Sequence, residues 1–409
     1  MVEPESIGAV ERPPTDSIRP AAVPARPRVG GRRRRCLALA GVFPASLVLC
    51  ELAVRVLGLG PAPRPEVFGT VVRPISDPVL RFITVPSSER VVVYPPFGDD
   101  PGRRVVQRLN RQGFRGPTVA LPKAAQVLRI VCVGDSHTFG EGVEDRETWP
   151  LLLGGLLREN ADRPIEVVNA GVQGYDTAQE ARWIEHFVLP LEPDIVLLQF
   201  FINDANNPGA RRARATQAAT PWWLKLAHPR QEGAVHWLRH HSRLADALLE
   251  AAFRRNYFDH WGEGNAHFLV DDDLAWREWC QAMERIDRML REAKVPLAVV
   301  LYPFMHAPGG EFASHDVHRR VAEHLATVGI ACLDAEPAFS GRDPVALRVH
   351  PGDMHAGAEA NGIFAAAVAD WIEGWPPFAA GAFTTGASPS PAPTSHPPAS
   401  SRPADRRPR

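Results

Sequence analysis

Between Gln126 and Trp375 this 409-residue chain alternates short apolar runs with segments of helical period, and that alternation limits its possible folds more than anything else in it. The runs fall at 127–133, 165–168, 194–201, 296–302 and 330–334, and the helical patterns at 147–160, 176–189, 273–293, 311–328 and 357–374. A strand apolar at successive positions must be covered on both faces, and joining parallel strands needs a crossover long enough to hold a helix. The pattern predicts an α/β domain over 126–375, a parallel sheet in a three-layer α/β/α arrangement. Leu274, Met283, Ile286, Met289 and Leu290 share one face of the 273–293 pattern and predict a core stripe. The rhythm breaks over 206–270, where Trp222, Trp223, Trp237, Tyr257 and Trp261 occur. An insertion after a strand's carboxyl end is placed to serve as a lid or substrate platform, although the same tryptophans also suit packing.

The flanks differ in character. Residues 1–35 are rich in proline and arginine and predict a disordered basic tail, as does the proline- and serine-rich stretch 376–409. Arg32 to Arg35 precede an apolar run from Cys36 to Cys50. Continued to Leu59, with Glu51 and Arg55 paired one turn apart, it would reach roughly 36 Å as a helix. The expectation is a signal-anchor helix over 36–59 that makes inner-membrane contact in a bacterial cell and leaves the rest of the chain outside; the alternative is a cleaved secretory signal. Residues 60–125 carry the strand-like runs 90–94 and 104–109 and predict a small β-rich collar. A formal net charge of −1 gives no reason to expect nucleic acid as a partner. The five cysteines show no zinc spacing, and neither His306, His315 and His318 nor His236, His240 and His241 come with a ligand framework. No metal or cofactor is expected.

Four short blocks carry the chemistry. Gly134-Asp135-Ser136-His137 follows the first run, Asn169-Ala170-Gly171-Val172-Gln173-Gly174-Tyr175-Asp176 the second, and Ile202-Asn203-Asp204 the third, with Gly352-Asp353-Met354-His355 near the end. Each of the first three lies at a strand's carboxyl end, where open parallel sheets bind ligands. Ser136 there is a candidate nucleophile, or else the N-cap of the next helix. A hydroxyl needs a base, and histidine suits that task near neutral pH when an acid fixes its tautomer. His355 with Asp353 meets that need, and His350 is the rival base. His137 is expected to line the cleft, and Asn169, Asp135 and Asp204 to brace loop backbone.

The four blocks in this order resemble the SGNH (GDSL) hydrolase family of esterases and acyl-transfer enzymes. The resemblance implies a flavodoxin-like domain in which Ser136, His355 and Asp353 form the catalytic set. It implies an oxyanion hole made by the main-chain N–H groups of Ser136 and Gly174 and the side-chain amide of Asn203, with Gly171 the other glycine to consider. The family's commoner spacing puts the acid three residues before the histidine, where this chain has Gly352. The activity implied is a membrane-anchored serine esterase that removes or transfers an acyl group, foremost acetyl on a cell-envelope glycan. A lipase or lysophospholipase-like enzyme is an alternative, and the shifted aspartate admits a second class, an inactive glycan-binding protein.

Overall fold

The computed structural model describes residues 30–59, 62–204, 233–252, 273–306, 312 and 314–382. Most of the expected 206–270 insertion, including Trp222, Trp223, Tyr257 and Trp261, lies outside the described residues, as do most of both expected tails. The chain divides into two units, Met1–Ala53 and Val54–Arg409.

Helix α1 spans Gly30–Val56 and contains Pro44. Among the described residues no helix is long and apolar enough to cross a membrane, so the expected anchor over 36–59 is not supported. The physical reason is the length of the uncharged stretch. From Cys36 to Cys50 a helix covers roughly 22 Å, short of a hydrocarbon core of about 30 Å, and Glu51 and Arg55 follow directly.

In the second unit the chain first builds small antiparallel sheets. Strands β1 (Glu66–Gly69), β4 (Glu89–Tyr94) and β5 (Arg103–Arg108) pair in the order β1-β4-β5, while β2 (Val72–Pro74) pairs with β3 (Phe82–Thr84). The two β-branched runs read from the sequence are β4 and β5. The other three are too short for their alternation to stand out.

Next comes the large sheet. Its strands are β6 (Leu128–Val133), β7 (Ile165–Asn169), β8 (Ile195–Phe200), β9 (Leu297–Leu301) and β10 (Ala331–Asp334), close to the five expected runs. Every residue of β6, β8 and β9 is buried, as two-sided cover demands. All neighbours are parallel, in the order β10-β9-β8-β6-β7. The chain therefore moves from β6 to one side, then returns past it to β8 and continues outward. That reversal is the switch point of a flavodoxin-like sheet, and its crevice opens at the carboxyl ends of β6 and β8.

Helices fill the crossovers. After the four-residue α2 (Ser136–Phe139), α3 (Trp149–Asn160) leads into β7, α4 (Thr177–Trp183) into β8, α5 (Asp273–Glu292) into β9 and α6 (His315–Val328) into β10. Right-handed crossovers put α3 on one face and α4, α5 and α6 on the other. The hairpin β11 (Arg348–His350) and β12 (Asp353–Ala356) follows, then α7 (Ala358–Glu373), which packs on α3, and α8 (Pro376–Ala382). Trp149 of α3 meets Phe364 of α7 edge-on at 5.2 Å, and Trp279 of α5 meets Phe200 at 5.8 Å on the opposite face. Met283, Ile286 and Leu290 are buried along α5. The expected 176–189 helix is α4 continued as a wider π turn over Ile184–Val188.

Candidate active site

Ser136 is presented by a turn that only small residues can make. A Cβ on Gly134 would lie 2.7 Å from Gln199 Oε1 and closer still to the Thr138 hydroxyl. Asp135 then caps α2, its carboxylate accepting from the His137 main-chain N–H at 2.8 Å, and the helix ends at Gly140 in the left-handed region, φ 81°. As the first helical residue Ser136 keeps a main-chain N–H with no intrahelical acceptor.

The hairpin β11–β12 brings His355 over this turn across 219 positions of sequence. His355 Nε2 lies 2.9 Å from Ser136 Oγ, and its Nδ1 lies 2.6 Å from Asp353 Oδ1. An ionised carboxylate only accepts, so Nδ1 carries the proton and Nε2 offers its lone pair to the serine hydroxyl. The same Asp353 oxygen accepts the His355 main-chain N–H at 3.1 Å, and the other oxygen accepts the Tyr94 phenol at 2.8 Å. Alternation along β12 puts Asp353 and His355 on one face, so a two-residue spacing serves where the family's commoner spacing is three. Burial would raise Asp353, but the charge and hydrogen bonds of His355 outweigh it and hold the carboxyl far below its ordinary range. Burial would lower His355, and the Asp353 charge and hydrogen bond overcome that and lift it to about 9.

The two other expected donors are Asn203 and Gly174. Asn203 follows β8, and its Nδ2 donates to Asp135 Oδ2 at 3.0 Å, which ties the amide to the capping residue next to Ser136. Burial would raise the Asp135 carboxyl, but His137 beside it, with the His137 main-chain N–H and the Asn203 amide, keeps it below its ordinary value. Gly174, at φ 71°, is exposed, and its N–H has no hydrogen-bond acceptor among the described residues. Gly171 differs on both counts. Its N–H donates to Asn169 Oδ1 at 3.1 Å, and a Cβ there would run into the main chain of Thr138 and Phe139. Gly171 therefore serves the close approach of the β7 loop to α2.

The rival base is otherwise engaged. His350 is buried, with Nε2 3.1 Å from the Pro95 carbonyl and Nδ1 accepting the Gly352 N–H at 3.0 Å, so both ring nitrogens are committed away from Ser136. His137 is buried, its ring tilted against Phe201 at 3.9 Å and 5.3 Å from the His355 ring; burial, the largest influence, keeps it below the ordinary histidine value. His315 and His318 pair with Glu336 at 2.7 Å and Asp334 at 2.9 Å. Trp276 and Trp279 stack on each other and meet His324 of α6, a packing use. Tyr94 escaped the sequence reading, because its partner lies 259 positions away and nothing in Val91-Val92-Val93-Tyr94-Pro95 signals a hydrogen bond to an acid.

With this geometry in hand, the chain was compared with known proteins. The sequence model described as "GDSL-like Lipase/Acylhydrolase family" matches residues 132–361. No curated protein matches. Solved structures similar to this chain include a catalytic mutant of an acetylxylan esterase from Geobacillus stearothermophilus, at 15% identity and TM-score 0.36, covering 59% of this chain and 91% of that one. A member of the lipolytic protein G-D-S-L family from Veillonella parvula matches at 14% identity and TM-score 0.34, covering 59% and 97%. A carbohydrate acetylesterase family member from Sinorhizobium meliloti matches at 12% identity and TM-score 0.34, covering 60% and 97%. The family match spans more than half of the chain and contains all four blocks, and on it the chain belongs to the GDSL-like lipase/acylhydrolase family, hydrolases of ester bonds.

Proposed function

We propose that the chain is a serine esterase in which Ser136 is the nucleophile, His355 the general base and Asp353 its orienting acid. The observation that carries this reading is the unbroken chain of contacts from Asp353 through His355 to Ser136, 2.6 Å and then 2.9 Å. As the Ser136 oxygen attacks the ester carbonyl, His355 Nε2 takes its proton, and Asp353 stabilises the imidazolium that results. The carbonyl oxygen becomes an anion between the Ser136 and Gly174 N–H groups and the free N–H of the Asn203 amide. Collapse expels the alcohol, which receives the proton from His355 and leaves an acyl-serine. Water, or a sugar hydroxyl, then repeats the sequence in reverse; hydrolysis and transfer share everything up to that point.

The substrate class we favour is a short acyl group, acetyl foremost, on a hydroxylated polymer such as a cell-envelope glycan. Polar side chains supply the support. Glu141, whose N–H bonds the Ser136 carbonyl, also accepts from Gln173 and Arg90, and Asn203 bonds Asp135, so the neighbourhood of Ser136 is polar, which suits a hydroxylated substrate better than a lipid chain.

A fluorophosphonate probe and a series of nitrophenyl esters of rising chain length, with acetylated glycans alongside, test both levels. Wild type should be labelled and should prefer acetyl, and Ser136→Ala should lose labelling and at least about 10⁴-fold of turnover. Turnover that survives in both Ser136→Ala and His355→Ala removes the mechanism. A preference for long acyl chains removes the glycan reading and favours a lipase.

A further inference from the structure

We propose that Tyr94, carried in on β4 from outside the family-matched residues 132–361, is a positioning residue of the esterase: its phenol holds Asp353 so that Asp353 holds His355. The inference rests on the Ser136-His355-Asp353 reading and adds to it a requirement that the N-terminal sheet complete the site.

Three observations converge. The first is the bond itself. Tyr94 Oη donates to Asp353 Oδ2 at 2.8 Å, the oxygen that His355 does not use, so the carboxylate is fixed at both ends. Tyr94 is 2% exposed, and burial followed by the Asp353 charge pushes its phenol far above the ordinary value, so it remains a donor throughout the working pH range.

The second is the way its ring is gripped. Tyr94 clusters with Val92, Val143 and Val349 and lies 5.3 Å from the His350 ring, which joins β4, the loop after α2 and the hairpin. Gly142 leaves room for the phenol, since a Cβ there would overlap Tyr94 Oη.

The third is a second clamp on the same hairpin. Pro95, the next residue, accepts from His350 Nε2 at 3.1 Å, and His350 Nδ1 accepts the N–H of Gly352 in the turn that leads to Asp353. A Cβ on Gly352 would come within 2.7 Å of the Pro63 carbonyl. The N-terminal segment thus holds the acid-bearing hairpin at its side chain, its turn and its backbone. A short hairpin outside the main sheet has few bonds of its own to fix a carboxylate to a fraction of an ångström, and catalytic geometry demands that order of precision.

The test compares Tyr94→Phe with Val105→Ala in the full chain. Tyr94→Phe keeps the ring and deletes one hydrogen bond to an ionised group, a change that costs about tenfold or more in the population of the correct geometry. The expected result is a kcat at least about tenfold lower with KM unchanged. The pH limb of His355 should fall from near 9 towards 6.5, because a carboxylate free to turn gives the imidazole less of the charge that raises it. Val105→Ala weakens the packing of β5 in the same sheet and spares both the bond and the cluster around Tyr94, so at an equal loss of Tm it should keep kcat and the limb.

Wild-type kcat and pH limb in Tyr94→Phe overturn the proposal, and so does an equal loss in both variants at equal Tm. If instead Ser136→Ala and His355→Ala stay active, the triad reading has failed before Tyr94 is at issue; if those two are dead and Tyr94→Phe is unimpaired, only the present inference falls.

Discussion

At the scale of single residues, one hydrogen bond decides what each imidazole can do. His355 and His350 lie five positions apart on the two arms of one hairpin, yet His350 spends both nitrogens on main chain while His355 has a carboxylate at one and a hydroxyl at the other. Because a base must be neutral to accept a proton, the lift of His355 to about 9 has a kinetic signature. The rate kcat/KM on a neutral ester should rise with pH through a limb near 9 rather than near 6.5; a stopped pH profile that is flat from pH 7 upward counts against it. Stability runs the other way. The folded value lies above the unfolded one, so the stabilisation His355 brings is complete below about 6.5 and is lost as pH climbs through about 9. The identities of the candidate nucleophile, base and acid could be read from residue types in order. The preference for Gly174 over Gly171 comes from the resemblance; what residue order could not show is that the Gly171 N–H already has an acceptor.

Strands and helices were the most legible level. A two-sided sheet forces unbroken apolar runs, and β6, β8 and β9 show them in the sequence as plainly as in the structure. The hairpin β11–β12 was hidden, since three- and four-residue strands leave no period to detect and their residues mix polar and apolar types. Helix α4 carries a feature that pattern reading also misses. Glu180 sits fully buried on it, near the buried Asp204 beyond β8. Burial first, then Asp135 and Asp176, raise Glu180; burial and then Glu180 raise Asp204. A carboxyl raised on folding stabilises below its unfolded value, near 4.5, and that contribution drains away as pH rises. Glu180→Gln should therefore match wild type in Tm at pH 4.5 and exceed it by a few degrees at pH 8, in paired thermal melts. A lower Tm at pH 8 would show that the ionised acid is wanted there.

At the scale of the whole molecule, the N-terminal sheet and the α/β domain share one polar seam. Arg115 is fully buried at the end of the collar segment and donates to the carbonyls of Phe139, Gly140 and Val143 while pairing with Asp145 at 2.8 Å. Its guanidinium also lies 4.9 Å from the Phe139 ring centroid. Deleting it strands the carbonyls of Phe139 and Val143 in the segment that follows Ser136, while that of Gly140 keeps the Gln107 amide. Arg115→Ala should cost about 3 kcal/mol or more in urea unfolding, and a loss under 1 kcal/mol would mean that water takes its place. Sequence gave little hint of that seam, because an arginine in a glycine-punctuated turn reads as a surface residue. The turn that presents Ser136 has a use beyond the proposed chemistry. On the proposed mechanism the receptor for a carbonyl there consists of main-chain N–H groups and one amide, none of which depends on the hydroxyl. By that reading a chain bearing alanine at position 136 keeps its grip on an ester that it no longer cuts and, immobilised, serves as bait that fishes its substrate out of a mixture of acylated glycans.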